Sequence, residues 1–401
     1  MSPPDSMTSA ERRAGVGLAA IFALRMLGLF LILPVFSVFA KGLPDGGDLA
    51  RIGLALGAYG LAQALFQIPF GAASDRWGRK PVIVVGLVLF AFGSFVAALA
   101  PTLDWIIVGR VLQGIGAISA AVTALAADLT RDAHRTKVMA MIGSSIGLVF
   151  ALSLVGAPLL YGWIGMGGLF ALTGVLALAA IALLLVYVPP APPLPPSHAR
   201  PPFSTVLRHL ELLRLNVGIF TLHVMQMSLF VVVPHALVEH GGLAVAAHWQ
   251  VYLPAVLVSF LIMVPAIIAA ERRGRMRPVF LGAIVLLALV QLGFWLAGTS
   301  LWTLAAWLVL FFVAFNILEA TLPSLVSRTA PAAARGAALG VYNTTQAMGL
   351  FVGGAVGGAL ASQFGDNAVH ALGLVLALLW LLVAAFMQFA PRRPASAAAN
   401  H

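Results

Sequence analysis

The chain has 401 residues, 61% of them hydrophobic and only 9% charged, with a mean hydropathy of +1.02. Soluble domains are about 45–50% apolar and about 25% charged, and a single core stops growing near about 250–300 residues, so a water-soluble fold could not bury this surface. The net charge of +10 does not indicate nucleic acid, because the 23 basic residues fall in short clusters between apolar runs. With no cysteine, disulfides and thiolate metal sites are excluded.

Membrane insertion is the remaining explanation, and each spanning helix takes about 20 mostly apolar residues. The apolar runs predict twelve spans in two sets of six: 15–40, 51–73, 81–101, 103–127, 138–161 and 166–188, then 215–238, 247–270, 278–298, 301–327, 336–361 and 368–389. Run one is too long for a signal-peptide core and carries Arg25, so it reads as an uncleaved anchor. Between the sets lies the longest loop, 189–214, which opens on Pro189-Pro190-Ala191-Pro192-Pro193 and should be stiff polyproline II. Residues 203–213 are a candidate amphipathic surface helix; a plain tether is the simpler reading. The expected organisation is a bundle over 1–188, a linker over 189–214, a bundle over 215–390 and a tail over 391–401.

Nineteen of the 23 basic residues fall on one side of this arrangement, at Arg12/Arg13, Arg76/Arg79/Lys80, Arg131/Arg135/Lys137, Arg200/Arg208/Arg214, Arg272/Arg273/Arg275/Arg277, Arg328/Arg335 and Arg392/Arg393. Lys41 and Arg51 fall opposite, while Arg25 and Arg110 lie within spans. The positive-inside rule then puts both termini in the cytoplasm and requires an even number of spans. An internal repeat supports two related halves: Asp75-Arg76-Trp77-Gly78-Arg79 after span two returns as Glu271-Arg272-Arg273-Gly274-Arg275 after span eight, 196 residues on.

Charges inside spans are costly and mark function by default. Four stand out: Arg25 in span one, Arg110 in span four, His223 in span seven and Glu319 in span ten. Hydrocarbon favours the neutral form of a lone carboxyl, which suits Glu319 to carry a proton reversibly; a structural acid holding helices together is the alternative. Its helix also carries Asn316. His223 and Gln226 share a helix face, as do Asn343 and Gln346, and Tyr59 and Gln63. With Gln113 they read as polar cavity lining, or as hydrogen bonds between helices. Overlapping GxxxG patterns at Gly349, Gly353, Gly354, Gly357 and Gly358, and another at Gly53/Gly57, allow close helix approach. Gly143-Ser144-Ser145-Ile146-Gly147 spells a nucleophile elbow, but within an apolar helix rather than at a strand-to-helix turn. No P-loop, HExxH or dinucleotide fingerprint appears, so neither an enzyme, a cofactor nor ATP-driven pumping is expected.

Gly71-Ala72-Ala73-Ser74-Asp75-Arg76-Trp77-Gly78-Arg79-Lys80 resembles motif A of the major facilitator superfamily at every defining position. Arg110-Val111-Leu112-Gln113-Gly114-Ile115-Gly116-Ala117 is similar to the helix-four pattern of that family's proton-antiporter branch, whereas Gly156-Ala157-Pro158 departs from the helix-five motif, where Gly-Pro is usual. Leu24-Arg25-Met26-Leu27-Gly28, Asp128-Leu129-Thr130-Arg131 and the stretch from Asn316 to Pro323 resemble one bacterial subgroup, many of whose members add a ferredoxin-like domain after span twelve; no such domain is expected here. The resemblance implies a bacterial inner-membrane transporter, functional as a monomer, with protons and a small molecule as partners. It further implies a latch in which Asp75 faces the start of span eleven near Gly336, Arg79 pairs with Asp128, and the outward-open state is favoured. Gly71, Arg76, Gly78 and Lys80 complete the motif. Proton-coupled export of an amphipathic or drug-like molecule is the leading expectation. The alternatives are a metabolite facilitator or proton symporter for uptake, and a membrane sensor or scaffold that transports nothing.

Overall fold

The computed structural model describes residues 6–190, 206–296, 300–331 and 334–388, and all regular structure among them is helical. Most of the expected proline-rich linker and the whole of the expected tail, 391–401, lie outside the described residues. Of the expected amphipathic helix, residues 203–205 also lie outside, and span seven is already helical from Leu210.

Hydrocarbon offers backbone groups no water, so the apolar runs must satisfy them internally as helices. Span one is Ser9–Phe30 continued by Leu33–Lys41. The break falls just before Pro34, whose missing N–H cannot continue the ladder. At its other end Thr8 and Glu11 form a reciprocal cap, at 3.2 and 2.8 Å. Span two is Leu49–Trp77, capped by Asp48 through the Ala50 N–H at 2.8 Å. Span three is Arg79–Ala98, and span four is Leu103–Ile115 followed by Ser119–Asp128. Spans five and six appear as one run, Asp132–Val186, divided where Gly165 leaves helical geometry at φ 63 and ψ −174. Fifty of its residues form a single apolar stretch, about 75 Å at 1.5 Å per residue, more than twice the hydrocarbon thickness. This stretch therefore counts as two crossings. The second half has Leu210–Glu239, Trp249–Arg272, Met276–Leu296, Leu301–Thr329, Arg335–Phe364 and Asp366–Ala385 as spans seven to twelve. Among the described residues eleven helices are long and apolar enough to cross, and the double-length one brings the crossings to twelve.

The arginine clusters around Arg76, Arg131, Arg272 and Arg328 gather at what is called here the basic end; Lys41, Asp48 and Arg51 lie at the far end. Span eleven packs against both span two and span seven, and its glycines divide between them. A Cβ at Gly354 or Gly358 would lie 2.4 Å from the Gly53 or Leu49 carbonyl of span two, whereas one at Gly353 would lie 2.4 Å from the Val224 carbonyl of span seven. The overlapping GxxxG patterns are thus two close-packed faces, one between the halves and one within the second.

The apolar cores show where the halves join. One core runs from the far-end residues Ile32, Phe36, Ile52, Leu56 and Phe150 into the second half at Phe230, Phe312 and Phe315. The core of the first half's basic end, including Leu18, Ile83, Val122 and Leu184, contains no residue of the second half. Polar contacts agree: Lys41 of span one meets His235 and lies 3.7 Å from Glu239 of span seven, and Ser362 Oγ donates to Asp48 at 2.8 Å. Near the basic end of span eleven, a side chain added at Gly336 or Gly340 would meet no neighbouring element within 4 Å among the described residues. The gap between the halves opens toward the basic end.

Candidate functional site

Two polar clusters lie within the bundles, one in each half. In the first, Arg25 and Arg110 are fully buried, at 0% and 1% exposure. Arg25 donates to the Tyr59 hydroxyl at 2.6 Å, to Ser119 Oγ at 3.4 Å and to the Gly116 carbonyl at 3.5 Å. The last acceptor lies outside the helical ladder because span four leaves helical geometry at Gly116, where ψ is 45°, and it also accepts from the Ile118 N–H at 2.9 Å. Arg110 donates to Gln113 Oε1 at 2.9 Å and to the Leu56 and Ala55 carbonyls of span two at 3.2 and 3.4 Å. Gln113 in turn donates to Ser94 Oγ at 2.8 Å. Both guanidinium groups lie over the Tyr59 ring, at 5.9 and 5.1 Å from its centroid. Neither has a carboxylate partner among the described residues; carbonyls and aromatic faces compensate the charge.

The second cluster is looser. Glu319 is the one acid placed mid-span among the described residues, and its side chain is 34% exposed. Gln346 Nε2 donates to Glu319 Oε1 at 3.4 Å and to His223 Nε2 at 2.7 Å. His223 Nδ1 lies 3.1 Å from the Ile219 carbonyl. A neutral ring that donates from Nδ1 and accepts at Nε2 satisfies both contacts. Glu319 Oε2 is buried without a hydrogen bond, 3.8 Å from His223 Nε2. Asn316, one turn earlier, donates to Ser259 Oγ at 2.8 Å, and Asn343 is partly exposed on span eleven. Gln63 and Gln226 are buried in their halves.

Aromatic rings adjoin the acid cluster. Phe150 of span five touches Phe30 of its own half at 5.0 Å between centroids, and Phe315 and Phe312 of the second half at 5.8 and 6.1 Å. Phe315 lies 6.0 Å from the His223 ring and four residues before Glu319 on the same helix. Sequence reasoning passed over Phe150 and Phe315, and also Ser94, Ser119 and Ser259. In an apolar chain, phenylalanines and single serines give no signal until a helix from elsewhere meets them.

At the basic end, Arg79 is drawn into the first half, its side chain 7% exposed. It pairs with Asp75, with Asp128 Oδ2 at 2.8 Å and with Ser74 Oγ at 2.9 Å. Gly78 makes the turn at φ 97, Gly71 accepts from Ser74 at 2.8 Å, and Arg76 is exposed. Lys80 donates to the Leu184 and Val188 carbonyls at the end of span six, at 3.2 and 2.7 Å. Gly336, the expected neighbour of Asp75, has open space around it.

The Major Facilitator Superfamily profile matches residues 18–353 and, in a second alignment, 215–401. The chain is 45% identical over 98% of its length to the inner membrane transport protein YajR of Escherichia coli K12, covering 89% of that protein. Over 36% of its length it is 32% identical to the class B tetracycline resistance protein of Escherichia coli, covering 36% of that protein. Among solved structures, a bacterial homolog of the human lysosomal transporter Spinster, in an inward-facing and occupied conformation, superposes with a TM-score of 0.76 at 14% identity. That match covers 97% of this chain and all of the other.

Proposed function

Because the chain belongs to the major facilitator superfamily, and is a transporter rather than an enzyme, we propose that it exports a small organic molecule in exchange for protons. One observation carries this reading: a mid-span carboxyl, Glu319, partly exposed, beside His223 and Gln346 and with one oxygen unpartnered. A carboxyl in that position changes charge at little structural cost, since its contacts are long and few. Gln346 and His223 position it. The partial match to a tetracycline resistance protein supports the outward direction.

In this reading the basic end is cytoplasmic and the structure is the inward-open state. Glu319 releases its proton to the cytoplasm as substrate enters against Phe315, Asn316 and Asn343. The halves then rock, closing the basic end and breaking the Lys41–Glu239 and Ser362–Asp48 contacts at the far end. Closure brings Asp75 to the N-terminus of span eleven, where free N–H groups and the helix dipole favour an anion. Arg79 and Asp128 hold the loop in shape for that contact. An external proton on Glu319 then favours substrate release and return. Alternating access of this kind needs no partner subunit.

The test is transport by proteoliposomes under an imposed pH gradient, with internal pH followed by a dye while amphipathic compounds are screened for counterflow. Glu319→Gln keeps the shape and hydrogen bonding of the protonated carboxyl but cannot release a proton. It should abolish gradient-driven accumulation and leave energy-independent exchange. Driven transport that survives in Glu319→Gln but is lost in His223→Asn would move the proton to span seven. Accumulation with no proton flux would replace exchange by facilitated uptake.

A further inference from the structure

The 196-residue repeat places related loops at the basic ends of spans two and eight, and the two copies use their charges differently. Both turn through a glycine of positive φ, Gly78 at 97° and Gly274 at 65°. In the first copy the arginine is internal: Arg79 sits between Asp75 and Asp128. In the second copy the acid is taken by another helix, Glu271 pairing with Arg328 of span ten at 2.8 Å. The sign is inverted, since span four contributes the acid Asp128 to the first copy while span ten contributes a base to the second. As a result Arg272, Arg273 and Arg275 stand exposed, with no side-chain hydrogen bond or ion pair among the described residues.

A shallow, open groove of ≈390 Å³, formed by span eight alone, runs below these arginines between Val264, Pro265, Ile268 and Ala269, with Arg272 and Arg273 at its mouth. It lies on the helix face turned away from span ten; Tyr252, Ala255, Ser259 and Ala270 fill the opposite, buried face. Val264 and Ile268 are 45% and 46% exposed. An apolar slot ending at two adjacent, unneutralised guanidinium groups at the edge of the span is complementary to a chain with an anion on its end.

We propose that this groove binds an anionic phospholipid, one acyl chain lying along Val264 and Ile268 and the phosphate held by Arg272 and Arg273. Arg275 adds to the attraction. A zwitterionic lipid would bring a second cation against the arginines, so the site prefers a net negative headgroup. The repeated motif thus serves as an internal clasp in one half and a membrane anchor in the other.

Native mass spectrometry of the full chain, titrated with phosphatidylglycerol in detergent, reads the affinity of the first bound lipid without reference to transport. Each arginine near an anionic group contributes about five-fold, so Arg272→Gln with Arg273→Gln should weaken binding at least that much. Ile268→Trp fills the slot with the charges intact and should weaken it comparably. Arg12→Gln with Arg76→Gln removes the same charge elsewhere at the basic end and should change little. Glycerophosphoglycerol, the headgroup without chains, should not displace the lipid. Equal weakening by the Arg12/Arg76 pair would reduce the effect to general surface charge and overturn the proposal. Unchanged binding in Ile268→Trp would also overturn it, as would displacement by the chainless headgroup.

Discussion

The buried cations of the first half and the mid-span acid of the second sit inside related bundles, yet they are built on opposite terms. Arg25 and Arg110 are sealed: each reaches carbonyls or hydroxyls on neighbouring helices, and both use the Tyr59 ring. Glu319 is loosely held, with one contact at 3.4 Å, one at 3.8 Å and an oxygen left over. A group held by several hydrogen bonds inside the protein, as both guanidinium groups are even with Arg25 Nε unpartnered, resists any change of charge or position. One held by a single long hydrogen bond can change both. The first cluster therefore ties spans one, two and four together, and in the proposed function the second is where a proton comes and goes.

The contrast can be broken most severely at Arg110. Arg110→Met removes three donors at once and leaves Gln113 Oε1 and two span-two carbonyls without them. A loss of about 3–5 kcal/mol is expected, read as a large drop in the unfolding midpoint of the detergent-solubilised protein or a failure to accumulate. Should Arg110→Met unfold at the wild-type midpoint, the cluster does not hold the first half together. Next in size is accessibility, which the cysteine-free background makes clean to measure. Cysteine placed at Asn343 should react readily with a water-soluble thiol reagent. At Gln113 it should react on the order of a hundredfold more slowly, because only local opening exposes that position. Similar rates would mean that the first cluster also lines the gap. The smallest effect is expected at Glu319 itself, where Glu319→Gln should change stability by less than about 1 kcal/mol while uncoupling transport. A destabilisation as large as that of Arg110→Met would make Glu319 a structural acid.

Particular residues show how far the sequence could be read. The spans, including the pair that folds into one run over Asp132–Val186, followed from the apolar stretches, and Arg25, Arg110, His223 and Glu319 followed from their cost in hydrocarbon. The break at Gly165 falls in the expected 162–165 connection between spans five and six. The interruptions at Leu31–Ile32 and Gly116–Ile118 were not anticipated, although Pro34 and Gly116 stand at them. Each of these residues is also tolerated within a regular helix, so the type alone does not predict a break. Nor could the glycines of span eleven be divided between spans two and seven, because a GxxxG spacing names a close approach but not the partner.

Sequence alone determined how many times this chain crosses the membrane, because each crossing must be a helix of about 20 apolar residues whatever surrounds it. It also determined which side chains are expensive there. Tertiary structure decided which of those side chains are sealed and which are exposed. Gln346 reaches Glu319 across 27 positions of sequence and His223 across 123, while Arg110 finds its carbonyls 54 and 55 positions away. Contacts at that separation follow from how the helices pack against one another, and the spacing along any one helix carries no trace of them.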